Sequence, residues 1–96
     1  MLRQTDILQP SKHIAYRDIG GQVVVLQPLK DIILTLNETG SAIWSMLDGR
    51  TVADIARMLS ERFEVSEEEA LNDTRCFLSE MTSRELVCLA SEESAR

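Results

Sequence analysis

The chain has 96 residues, 44% of them apolar, with a formal net charge of −6 and a pI near 4.7. That length holds one domain with a small core. The charge argues against a nucleic acid or an anionic membrane held by bulk electrostatics, and it suits a basic peptide or protein partner.

In chain order, residues 1–12 read as a flexible N-terminal segment with no signal-peptide core, ahead of a domain spanning 13–90. Residues 13–19 (HIAYRDI) predict a strand, and Gly20-Gly21 a two-residue hairpin turn, because both positions tolerate positive φ. Residues 22–27 (QVVVLQ) are apolar on both faces, as in a central strand, and Pro28 ends them. Residues 31–36 (DIILTL) predict a third strand with Ile32, Leu34 and Leu36 on one face and Asp31, Ile33 and Thr35 on the other. In a meander this third strand is an edge, yet 32–36 carry no proline, lysine or bulge signal to blunt it. Two readings are open: the chain's own last strand or a second copy covers that edge, or the edge accepts a strand from elsewhere.

After Asn37 the period turns helical. Asn37 is the cap of a first helix running to about Leu47 and burying Ile43, Met46 and Leu47. Trp44 reads as a packing residue rather than a chemical one, and, being out of phase with them, it has room for partial exposure. Gly40, one turn in, is expected to let that turn pass close to the sheet. Gly49 stops the helix. Thr51 caps a second, with Val52, Ile55, Ala56, Leu59 and Phe63 in one stripe. Ser66 and Glu69 form a capping box for a third, whose apolar face is Ala70, Leu71, Thr74, Phe77, Leu78 and Met81. Leu86–Leu89 reads as a short final strand, and 91–96 as a disordered tail. The fold class is α+β: a small winged-helix-like domain in which a three-stranded antiparallel meander precedes a three-helix bundle.

No catalytic constellation is present, and an enzyme is not expected. His13 stands alone, and Cys76 and Cys88 lack CxxC spacing. They read as reduced, mostly structural thiols; neither a metal site nor a cofactor is implied. No apolar run reaches membrane-spanning length, so a cytoplasmic protein is expected. From Glu61 to Asp73 there are six acids against one base, a solvated face or a docking surface for a basic partner. A winged-helix transcription regulator is an alternative, but Asp54 and Glu61 offset Arg57 and Arg62 on the second helix. A subunit that self-associates through the edge strand is another.

Leu36-Asn37-x-Thr39-Gly40-x-Ala42-Ile43-Trp44-x-x-Leu47-Asp48-Gly49, followed by Thr51-Val52-x-x-Ile55-Ala56-x-x-Leu59-x-x-x-Phe63, resembles the PqqD-like family. Phe77-Leu78-x-x-Met81 and Leu86-Val87 are similar to that family's ending, except that Glu85 stands where glycine is usual. The departure leaves the shape of the last turn open. The resemblance covers about 13–90. It implies a peptide chaperone, or RiPP recognition element, that captures the leader of a ribosomally made precursor peptide. The chaperone presents that peptide to a modifying enzyme such as a radical SAM protein or a peptidase. It further implies that the leader adds as an antiparallel strand to the third strand, beside the third helix. On this sequence that assigns peptide binding to Asp31, Ile32, Ile33, Leu34 and Thr35. Across the cleft the expected flank is Ala70, Asp73 and Phe77, with Asp73 available to a leader Lys or Arg. The opposite flank, Arg75 with Leu71 and Leu78, remains a competing choice. Monomer and homodimer are both compatible.

Overall fold

The computed structural model describes residues 2–90. Gly20 and Gly21, at φ 64° and 91°, close the turn between β2 (Ala15–Ile19) and β3 (Gln22–Gln27). A side chain would be strained at either position. The chain then makes one 3-10 turn over Pro28–Lys30 and returns as β4 (Ile32–Thr35). The three strands form an antiparallel sheet in the order β2-β3-β4, with Val25 opposite Leu34 and Gln27 opposite Ile32. Asp31 lies outside β4: it ends the 3-10 turn at φ 54°, donating its N–H to the Pro28 carbonyl, so the expected strand loses its first residue.

Each helix begins on the expected cap. The Asn37 side chain accepts from Gly40 N to start α1 (Glu38–Ser45), Thr51 from Asp54 N to start α2 (Val52–Phe63), and Ser66 from Glu69 N to start α3 (Glu67–Ser83). These bonds satisfy amides that have no partner within the helix. The amphipathic stripes meet in one core of Ile43, Val52, Ile55, Leu59, Ala70, Leu78 and Met81 with Val23 and Val25 of the sheet.

Residues 8–10 correct the reading of a flexible segment over 1–12. They form β1 (Leu8–Pro10), antiparallel to β5 (Val87–Leu89). Leu8 is 1% exposed, and the carbonyls of Gln4 and Asp6 accept from Ala53 and Val52 at the start of α2. This segment adds Leu8 to the core and ties the start of α2 to β5, a long-range role that has no local period. The expected tail, 91–96, lies outside the described residues.

Trp44 packs, as its reading had it, and more deeply than its phase on the helix implies. It is 3% exposed rather than partly open, packed edge-on against Tyr16 with ring centroids 5.3 Å apart. Because α1 is short and flanked by sheet and bundle, it buries more than one stripe. Glu85 adopts φ 59°, the conformation glycine favours, so the last turn keeps that shape without glycine. The Glu85 side chain is used there: it pairs with Lys30, while its carbonyl accepts from Gln27 Nε2 at 3.2 Å.

Candidate functional site

The final strand pairs with β1, in a sheet separate from the meander. Among the described residues, therefore, nothing pairs with the outer edge of β4. Which backbone groups lie open follows from the ladder. Leu36 N donates to the Val23 carbonyl at 2.8 Å, making Val23 and Leu36 a hydrogen-bonded pair. Such pairs alternate in an antiparallel ladder, so Leu34 and Ile32 also bond toward β3. The N–H and C=O groups of Ile33 and Thr35 then face outward. Their side chains lie on the solvent face, with Ile33 73% exposed.

Ser41 finishes the inner end of this ladder. Its hydroxyl accepts from Val23 N at 2.9 Å and donates to the Leu36 carbonyl at 3.3 Å. It is inserted where Val23 N and Leu36 O would otherwise bond directly. Ser41 is 2% exposed and ties α1 to the strand pair that carries the open edge. Sequence reasoning passed over it, because a serine in a first helical turn reads as an ordinary surface residue.

Beside the end of β4 a cleft of about 350 Å³ opens between α1 and α3. Asn37, Thr39, Gly40 and Ile43 line one wall; Asp73, Cys76, Phe77 and Glu80 line the other. Asn37 follows β4 by two residues, so the open edge leads into the cleft. At the far end of β4, the pairing of Lys30 with Glu85 draws the end of α3 toward the start of the strand. The turn before β4 thus lies by the end of α3, and the residue two places after β4 lies by its middle.

The structure brings Asp73 and Phe77 into this cleft opposite Asn37, Thr39, Gly40 and Ile43. Ala70 is a correction: it is 0% exposed, part of the core, and offers no surface. On the competing flank, Leu78 is likewise fully buried, while Leu71 and Arg75 line a separate hollow with Ser66, Glu68, Glu69 and Asn72. That hollow is larger, about 450 Å³, but it is lined by Ser66 and α3 alone, with no residue of α1 or of the turn that follows β4. Cys76 and Glu80 are cleft residues the sequence reading did not assign. Cys76 is an exposed free thiol rather than a structural one. Both stand one helical step from Phe77 and Asp73, a relation visible only once the facing flank is known.

Among the described residues no group of three or more His, Cys, Asp or Glu is arranged to hold a metal, and no helix is long and apolar enough to cross a membrane. His13 is exposed, outside this cleft.

Fold and site together define a small α+β domain that offers an unpaired strand edge and an adjoining helix-walled cleft. The family model of coenzyme PQQ synthesis protein D (PqqD) matches residues 22–87, and the chain belongs to that family. No curated protein matches it significantly. Among solved structures it is similar to TbiB1 in complex with the TbiA(beta) leader peptide, at 26% identity and a TM-score of 0.78, covering 82% of this chain and 93% of that one. It is similar in fold to lasso peptide synthetase B1 complexed with the leader peptide, at 22% identity and a TM-score of 0.77, covering 84% and 96%. It is also similar in fold to the PqqD truncation of Methylobacterium extorquens PqqCD, a stand-alone RiPP recognition element, at 19% identity and a TM-score of 0.75, covering 92% and 95%.

Proposed function

We propose that this protein binds the leader segment of a ribosomally made precursor peptide as an added strand on β4 and presents that peptide to a modifying enzyme. The observation that carries the reading is the unpaired, unblunted edge of β4, whose Ile33 and Thr35 backbone groups face outward. Strand addition draws affinity from main-chain bonds and specificity from side-chain pockets. The cleft walled by Asp73, Cys76, Phe77 and Glu80 supplies such a pocket at the end of the strand. The likeness to two structures that contain leader peptides supports the same assignment.

The role is binding rather than catalysis, which suits a relative that acts as a stand-alone recognition element. The modifying enzyme belongs to the class that acts on ribosomal peptides, a radical SAM protein or a peptidase.

Amide-detected NMR titration tests the reading, using synthetic peptides for the N-terminal part of each short open reading frame found beside the gene. The amides of Ile33 and Thr35 are expected to shift and to become protected from hydrogen exchange. Binding that leaves both amides unprotected overturns strand addition on β4.

A further inference from the structure

Gly40 is in α1 with an ordinary helical φ, so nothing about its backbone demands glycine. In such a position alanine is favoured over glycine by about 1 kcal/mol. The demand is spatial. A Cβ built on Gly40 comes within 2.9 Å of Phe77 Cε1, 3.4 Å of Phe77 Cδ1 and 3.1 Å of Asn37 Oδ1. The expected neighbour was the sheet; the actual one is the ring of Phe77 across the cleft.

Two of these groups have little freedom to retreat. Asn37 Oδ1 is held by its 2.7 Å bond from Gly40 N, which caps the helix. The backbone of Phe77 is fixed in α3 between the fully buried Thr74 and Leu78. What can move is the Phe77 ring, which is only half buried and has open space on its cleft side. A side chain at position 40 therefore turns the ring away from α1 and into the cleft.

We infer that Gly40 is a specificity-setting residue: by leaving room for the Phe77 ring against α1, it keeps the cleft deep enough to admit a bulky apolar side chain of the bound peptide. The inference rests on the peptide-capture reading and gives the cleft a size rule. The half-buried ring of Phe77 is the cleft's apolar floor, with Ile43 fully buried behind it, Asn37 and Thr39 on the α1 side and the carboxylates of Asp73 and Glu80 along the α3 wall. The accepted residue lays an apolar body on the Phe77 ring, and a small side chain leaves that ring uncovered.

The test uses Gly40→Ala, Phe77→Leu and the double variant. The probe is a fluorescein-labelled peptide selected against the native protein from a displayed random library, with its cleft-facing position varied through Ala, Leu and Phe. Gly40→Ala is expected to weaken the Phe and Leu peptides by roughly tenfold or more, the scale of a methylene-sized misfit in an apolar pocket, while changing the Ala peptide little. In the double variant the shorter leucine side chain makes room for the new methyl, and affinity is expected to return to within about threefold of the Phe77→Leu value. A general loss of stability gives neither the size dependence nor the rescue. Equal losses for all three peptides, or a loss that Phe77→Leu does not relieve, overturn the inference. The structure of unliganded Gly40→Ala decides it independently of any peptide: Phe77 turned into the cleft supports it, and an unmoved ring overturns it. A native protein that captures no peptide counts instead against the peptide-capture reading.

Discussion

Replacing Ile33 by proline separates the edge of β4 from its ladder side. The Ile33 N–H points away from β3, so its removal breaks no bond of the sheet, and the side chain it replaces is 73% exposed. Proline is tolerated on edge strands for this reason. The residue before it, Ile32, is already extended, as proline requires. The folded state should therefore lose little, and a thermal melt followed by circular dichroism should show a cooperative transition near that of the native chain. Peptide capture should suffer. The variant loses one main-chain bond, worth about 0.5–1.5 kcal/mol net, and the ring's Cδ pushes against the incoming strand and weakens a neighbouring bond by a similar amount. Together these give about 1–3 kcal/mol, or roughly a 5- to 150-fold rise in Kd, readable by fluorescence anisotropy with the labelled leader. Two controls bracket the effect. Ile33→Thr keeps the amide and the β-branch and should bind within about threefold of the native chain. Leu34→Pro removes an amide on the β3 side and leaves the Val25 carbonyl unpaired, so it should lower stability itself by about 1–3 kcal/mol. A folded Ile33→Pro protein with native affinity would refute strand addition at β4.

Ser41→Ala removes the hydroxyl between Val23 and Leu36 and leaves a buried amide and carbonyl without that partner. A loss of about 1–3 kcal/mol is expected in urea denaturation, with faster hydrogen exchange at the Val23 amide. Leu78→Ala opens a cavity where α3 meets the core, so stability should fall by about 2–5 kcal/mol while the folded fraction binds peptide with native affinity. Asp73→Asn should weaken a leader carrying Lys or Arg opposite this position by no more than about 1 kcal/mol, because the carboxylate is exposed. Anisotropy should show that difference shrinking as salt is raised, and a difference unchanged at high salt would rule out charge pairing.

The three caps, the glycine turn and the buried stripes were legible because each is a local rule: a side chain answering an amide a few residues away, or a period matching a helix. What was hidden was set at long range. Leu8–Pro10 carries no period of its own, and it becomes a strand only because Val87–Leu89 lies beside it. That pairing removes one reading of the edge, since a last strand committed to β1 is not available to cover β4. The depth of Trp44 and of Ala70 was hidden for a related reason. A helical wheel ranks faces but not depth, and an eight-residue helix wedged between sheet and bundle is buried on more than one face. The wheel of α3 identified Asp73 and Phe77 as neighbours but could not say what stood opposite them. The glycine supplies that partner. At position 40 a residue chosen against helix propensity is explained by the ring it must not touch, so the first turn of α1 and the middle of α3 are fitted to one another across the cleft. Local departures from propensity are therefore the places in this sequence where tertiary contact speaks most clearly. Ser41 and Gly40, side by side in that turn, secure the two halves of one surface: the hydroxyl holds the strand edge and the missing side chain holds the pocket.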